Sequence, residues 1–267
     1  MMKKIWLLIL MLGINVACED VIDVDLSESE PKLVIEASIN LLEDGTSVAS
    51  VILTRTAPFF DQVIPPVTDA SVKITDESGI VYPFLYSENG IYQGNLIPQP
   101  QITYSLEVID NGEIYTASAQ LVSVPTLEFV EQNDEGGFSG EEIELKVYFT
   151  DPGDEANYYF FEGLSARGDV RDTFNDEFFN GNLIFGFYYV EDLNQGDDVV
   201  FNLYGVDTQF YNFMYVLLQQ STDQSGGPFE TQPATVRGNI INETRPDNFP
   251  LGYFRISEMS TLTYTVE

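Results

Sequence analysis

The chain of 267 residues contains no histidine and a single cysteine, Cys18. Those two counts remove Ser-His-Asp triads, Cys-His pairs and histidine-based zinc or iron centres before any fold is considered. Lysines are scarce too. Beyond Lys3 and Lys4 only Lys32, Lys73 and Lys146 occur, each in an alternating apolar and polar run where a solvent-facing position is expected. No glycine-rich loop leading to a lysine is present to cradle a phosphate. Carboxylate chemistry is what remains, with 43 Asp and Glu against 11 Lys and Arg and a net charge of −32. A glycosidase needs two carboxyls about 5–9.5 Å apart. In so acidic a chain such pairs arise by chance, so a carboxylate-dependent hydrolase stays an unspecific alternative and no catalytic residue is assigned. Calcium takes roughly six to eight oxygen ligands, and two acid-rich stretches could supply some of them: Asp151-Pro152-Gly153-Asp154-Glu155 and Asp169 to Asp176. Neither has the spacing of an EF-hand, and the first reads equally well as a β-turn. Asp151, Asp154 and Glu155 are the candidate calcium ligands; no other metal or cofactor is expected.

The one cysteine sits where lipid chemistry would use it. Lys3 and Lys4 precede an apolar run, Ile5 to Ile14, broken only by Gly13, and the small Ala17 stands directly before Cys18. This is the layout of a secretory signal. The run is about half the ~20 residues that span a bilayer as a helix. Ile14-Asn15-Val16-Ala17-Cys18 resembles a lipobox, with Asn15 replacing the usual aliphatic residue. Residues 1–17 are therefore expected to be a cleaved signal peptide and Cys18 an acylated anchor, each buried lipid methylene contributing roughly 0.8 kcal/mol. Loss of the signal removes two lysines and no acid. A body this acidic repels nucleic acid and anionic head groups, so neither is expected as a partner; the charge suggests cationic or divalent-ion partners, and reads more simply as a solvated acidic surface. At 44% hydrophobic and 13% aromatic residues, the chain has the means to bury a core and is not of the disordered type.

The elements that would carry these residues are strands. Residues 18–30 form an acidic tether. From Pro31, short β-branched runs alternate with turns at roughly 8–12-residue spacing: 32–39, 47–54, 70–75, 80–85, 91–96, 103–109 and 114–122. Asn89-Gly90 and Asn111-Gly112 predict tight hairpins, because both central positions need positive φ. This predicts an immunoglobulin-like β-sandwich over 31–123. A second β-rich domain over 124–267 follows Pro125, with strands at 143–150, 157–164, 183–190, 199–206, 236–241, 252–257 and 261–266. Glu131 to Glu142, with three glycines, reads as a mobile hairpin loop. One amphipathic helix is expected near 207–221: Asp207 caps it, and Phe210, Phe213, Met214, Leu217 and Leu218 fall on one face. The aromatic runs Tyr158 to Phe161, Phe178-Phe179 and Phe185 to Tyr189 can each serve as core or as a contact surface. The only tryptophan, Trp6, lies in the signal, which weakens a glycan-platform reading.

The order of these pieces resembles a Bacteroidota lipoprotein family, domain of unknown function 4249. Three stretches carry the likeness: Cys18, Val21 to Leu26 and Pro31 to Glu36; then Asp176 to Gly181; then the helix Asp207 to Gln220 with Pro228-Phe229, Asn239-Ile240 and Pro250 to Phe254. The resemblance implies a non-enzymatic surface accessory of a TonB-dependent outer-membrane transporter, held by lipid and acting on an unidentified ligand. The acids after Cys18 resemble the surface-export signal of such lipoproteins, which implies an outer-membrane anchor facing the exterior. A free-standing structural or adhesive lipoprotein is the contrasting expectation. The loops beside the helix, with Phe229, Asn239, Asn248 and Tyr253, form the candidate partner or ligand surface. The same loops can owe their likeness to packing, Gly252 by close backbone approach and Phe254 by filling the core.

Overall fold

The computed structural model describes residues 30–58, 63–137, 140, 142–153, 155–221 and 235–267. The expected signal peptide, Cys18, the tether up to residue 29, Asp154 and Phe229 lie outside the described residues. The chain divides into residues 1–30, of which Glu30 alone is described, and one compact unit, Pro31–Glu267.

That unit is mainly β with one helix among the described residues. The first half is a run of antiparallel neighbours. β1 (Leu33–Leu42) pairs with β2 (Ser47–Arg55), which pairs with the short β5 (Ile91–Gln93). β4 (Val81–Glu88) follows in space, then β3 (Ser71–Asp76), β6 (Thr103–Asp110) and β7 (Glu113–Val122). Both predicted hairpin turns are present, with φ of 49° and 80° at Asn89 and Gly90 and of 49° and 79° at Asn111 and Gly112. The alternation of each strand sends one face inward, and Ile35, Ile39, Val51, Leu53, Ile74 and Val108 meet in a first core with almost no exposed surface. This sheet does not stop at two edges as a separate sandwich would. The last strand, β15 (Leu251–Thr265), pairs in parallel with β1 along Leu251 to Met259 and with β7 at Ile256 and Ser257. The result is a closed, barrel-like ring of eight strands.

The second core is sheet against sheet. β8 (Phe129–Gly136), β9 (Glu142–Thr150) and β12 (Leu183–Tyr188) form a three-stranded layer. Leu145, Val147, Phe149 and Tyr188 point from it toward Tyr159 and Phe161 of β10 (Tyr158–Ser165) and toward Phe201 and Leu203 of β13 (Asp198–Gly205). β11 (Asp169–Asn175) edges this larger sheet beside β10. Beyond Met259, β15 leaves β1 and pairs with β13, so Phe254 and Ile256 serve the first core and Val266 the second. The two cores draw on separate sets of residues, but one strand, β15, serves both.

Four expectations about elements need correction. Residues 131–142 are not a loop throughout: β8 occupies 131–136 and pairs with β9. Asp169 to Asn175 is a strand, β11, not an acid-rich loop. Both are edge strands, where exposed polar side chains guard against unwanted pairing and erase the apolar alternation. The two C-terminal strands are one, continuous through Glu258-Met259-Ser260, because β15 exchanges one neighbour for another at that point. Of the strand expected at 236–241, only β14 (Ile241–Asn242) forms, beside β7.

Gly252 shows why the β1–β15 seam is so close. Its φ is +97°, and a Cβ there would lie 2.1 Å from the carbonyl oxygen of Ile35.

Candidate functional site

The helix α1 (Thr208–Ser221) begins as its sequence requires. The Asp207 carboxylate accepts the Phe210 N–H at 2.6 Å, capping the first turn. The same oxygen accepts the hydroxyl of Tyr253 from β15 at 3.1 Å, which ties the helix to the sheet. The helix packs on β11 and β10 and reaches Tyr253 of β15, on the sheet face turned away from the two cores. Phe210 packs edge-on against Phe160 and Tyr253, with centroids 5.7 and 5.1 Å apart, and Phe213 also meets Tyr253. Strand alternation puts Phe160, Glu162, Tyr204, Tyr253 and Arg255 on this face.

The ring contacts between helix and sheet come from the first half of the helix, Phe210, Tyr211 and Phe213. Beside these contacts lies a cleft of about 760 Å³, within the range of roughly 300–1,000 Å³ that suits a small ligand. Phe213, Met214 and Leu217 form the helix wall, and Val34, Ile52 and Leu251 the opposite apolar wall. Leu217, 39% exposed, stands at its opening. Val236 adds a further apolar contact.

The polar lining is sparse and ordered. Glu162 accepts Arg171 Nε at 3.0 Å on one oxygen and the Tyr204 hydroxyl at 2.9 Å on the other. Arg255 gives Nη1 to Asn40 Oδ1 at 2.7 Å. Its guanidinium lies 4.4 Å from the ring centroid of Tyr204 and 5.6 Å from that of Phe210. Among the described residues Arg255 has no carboxylate at ion-pair distance. Burial lowers its pKa, against the nearby Tyr204 and the Glu162 charge. Burial also holds the phenols of Tyr204 and Tyr253 protonated far above the ordinary range, helped by Glu162 and Asp207 respectively. The arrangement contains a hydrophobic slot and two arginines, of which Arg171 is ion-paired and Arg255 is largely withdrawn from solvent, and among the described residues lining it no nucleophile with an adjacent base.

The residues singled out from sequence separate in space. Tyr253 lines the cleft, but as a buried strut under the helix. Asn239 clamps the backbone of Phe254, donating to its carbonyl oxygen at 2.8 Å and accepting its N–H at 2.9 Å. Asn248 belongs to a knot around Glu113, to which it donates at 3.0 Å beside Asn242, Tyr115 and the ion-paired Arg245. Burial opposes ionisation of Glu113, but the hydrogen bonds from Arg245, Asn242, Asn248 and Tyr115 outweigh it and hold the pKa at about 2. Asp151 is buried, and its two oxygens accept the Tyr159 hydroxyl and the Gly181 N–H, an internal strut between turn and sheet. Glu155 is exposed. No group of three or more acidic side chains among the described residues is arranged to hold a metal ion.

Arg255, Asn40 and Tyr204 were not singled out from the sequence. The available signal was charge: an arginine within the apolar Leu251 to Ile256 run of a chain poor in arginine. The aromatic runs divide as strand alternation requires. Tyr159 and Phe161 enter the second core, and Phe160 the helix layer. Phe129, Phe185 and Phe187 face outward on the three-stranded layer, each more than a third exposed. There Phe129 stacks on Tyr148 at 4.7 Å, Tyr148 meets Phe185 at 5.4 Å, and Lys146 lies over Phe185.

A family model described as Domain of unknown function (DUF4249) matches residues 19–263. The chain belongs to that family. No curated protein matches it. Among solved structures, a two-domain fibronectin type-III segment from chicken tenascin is similar at 16% identity, over 66% of this chain and 91% of that one, with a TM-score of 0.21. A cytokine receptor complex is similar at 12% identity over 64% and 83% of the two chains, TM-score 0.24. The chicken interferon gamma receptor alpha chain is similar at 13% identity over 66% and 88%, TM-score 0.20. Likenesses at these scores carry no inference about shared fold or activity. No helix of the described residues is long and apolar enough to cross a membrane.

Proposed function

We propose that this DUF4249 member is a non-enzymatic ligand-binding lipoprotein, anchored through Cys18 to the outer membrane and facing the exterior, that holds a small ligand for a TonB-dependent outer-membrane transporter. The observation that carries the binding reading is the cleft beneath α1, an apolar slot with one arginine largely withdrawn from solvent and, among the described residues, no catalytic constellation. The lipobox-like segment supports the anchor. The exposed rings on β8, β9 and β12 support a protein partner, since contiguous apolar surface of this kind marks contact sites. The N-terminal half is taken as an immunoglobulin-like module sealed by β15, on the strength of its hairpin order and inward alternation.

The test is a gentle detergent pull-down of the tagged protein from native membranes, read by mass spectrometry. Near-stoichiometric recovery of a TonB-dependent transporter is the expected result. Recovery of the protein alone across several detergents and salt concentrations would defeat the accessory role and leave a free-standing structural or adhesive lipoprotein.

A further inference from the structure

We infer that the cleft under α1 takes a small amphipathic monoanion, an apolar chain or ring bearing one carboxylate, with that carboxylate seated on Arg255. The inference rests on the ligand-binding reading above and adds the class of ligand.

The charge pattern points there first. Arg55, Arg167, Arg171 and Arg245 each hold a carboxylate at ion-pair distance, and Arg237 is exposed over the ring of Phe249. Arg255, largely withdrawn from solvent, has none among the described residues, in a chain with 43 acidic residues. A cation withdrawn from solvent without a counter-ion is costly, and a carboxylate that enters with its ligand removes that cost. Glu162 is beyond ion-pair distance of Arg255; its bonds to Arg171 and Tyr204 hold it there.

The guanidinium is also pre-set. Asn40 fixes one Nη, and the rings of Tyr204 and Phe210 flank the plane. A guanidinium has more donors than these neighbours use, and its planar fork matches a carboxylate. Glu36 lines the same cleft and is exposed. It disfavours a second negative charge on the ligand, which selects a monoanion over a phosphate dianion. The slot of Val34, Ile52, Phe213, Met214 and Leu217 takes the apolar part, with Met214 as an adaptable wall.

The test is calorimetric titration of the full lipoprotein in nanodiscs, with empty nanodiscs subtracted. The probes are 4-phenylbutyrate and its neutral analogue 4-phenylbutanol. The carboxylate should bind at least about tenfold tighter, as expected of a charge-assisted fork. Arg255→Gln should erase that advantage and keep the alcohol's affinity. Asn40→Ala, which keeps the charge and frees the guanidinium, should cut the advantage severalfold, and it serves if Arg255→Gln does not fold. Leu217→Trp, at the opening, should weaken both probes. Equal affinity of the two probes for the unaltered protein, with both weakened by Leu217→Trp, would overturn the carboxylate class and leave the binding reading standing. An advantage that survives Arg255→Gln or, should that variant not fold, Asn40→Ala would overturn it too. Binding of neither probe by the unaltered protein would overturn both readings.

Discussion

Replacing Asp207 with alanine tests the joint between helix and sheet. One carboxylate oxygen serves two donors, the Phe210 N–H of the first helical turn and the hydroxyl of Tyr253. Loss of an N-cap costs about 1 kcal/mol. Tyr253 is only 5% exposed, so its hydroxyl would be left buried without this acceptor, a further cost of about 1–3 kcal/mol. A combined loss of about 2–4 kcal/mol lowers the melting temperature of a domain this size by roughly 4–16 °C. The assay is urea and thermal denaturation of four proteins: the parent, Asp207→Ala, Tyr253→Phe and the double variant. In the Tyr253→Phe background no hydroxyl remains to be orphaned, so Asp207→Ala should cost only the cap, about 1 kcal/mol. Asp207→Asn, which still accepts both bonds, should stay within a few tenths of a kcal/mol of the parent. Equal costs of Asp207→Ala in both backgrounds would refute the shared-acceptor reasoning, because coupling through one oxygen must appear as non-additivity.

Two further outcomes follow from local geometry. Gly252→Ala should destabilise by more than about 2 kcal/mol from strain at positive φ together with overlap on Ile35, whereas Gly112→Ala, at a similar φ of +79° but with nothing within 4 Å, should cost about 1–2 kcal/mol; matching urea midpoints would contradict the close-approach argument. Glu113 has a folded pKa of about 2 against an ordinary 4.5, so its stabilisation is complete above pH 4.5 and drains away as the pH falls toward 2; Glu113→Gln should be less stable at neutral pH and flatten that acid limb, and melting curves with an unchanged limb would count against it.

The hairpin turns and the buried strands were legible because their signals are local. Asn-Gly at 89–90 and 111–112 dictates a backbone, and alternation such as Val72, Ile74 against Ser71, Lys73 dictates a face. The helix and its cap were legible for the same reason. The edges were not: in β8 and β11 the need to stay soluble replaces apolar residues with Glu, Asn and Asp, so the pattern that announces a strand is missing where a strand has only one neighbour. The cleft was not legible either. Arg255, Asn40 and Tyr204 come from β15, β1 and β13, and only long-range pairing brings them together. Asp151 misled for a related reason: an acid in a turn reads as a ligand until Tyr159 and Gly181 are seen to occupy it.

The double membership of β15 also has a consequence in time. Its partner β1 lies about 200 residues earlier, and pairing over such separations slows folding. During synthesis the first half of the chain would emerge with every hairpin in hand and its ring still open, the seam between β1 and β7 unfilled. The second layer would wait on the same strand for its last neighbour. Neither half could finish ahead of the other, so the usual order of one domain after another is not open to this chain. Its unprotected interval should last until the final strand arrives, and a small lesion in that strand should disable both halves at once.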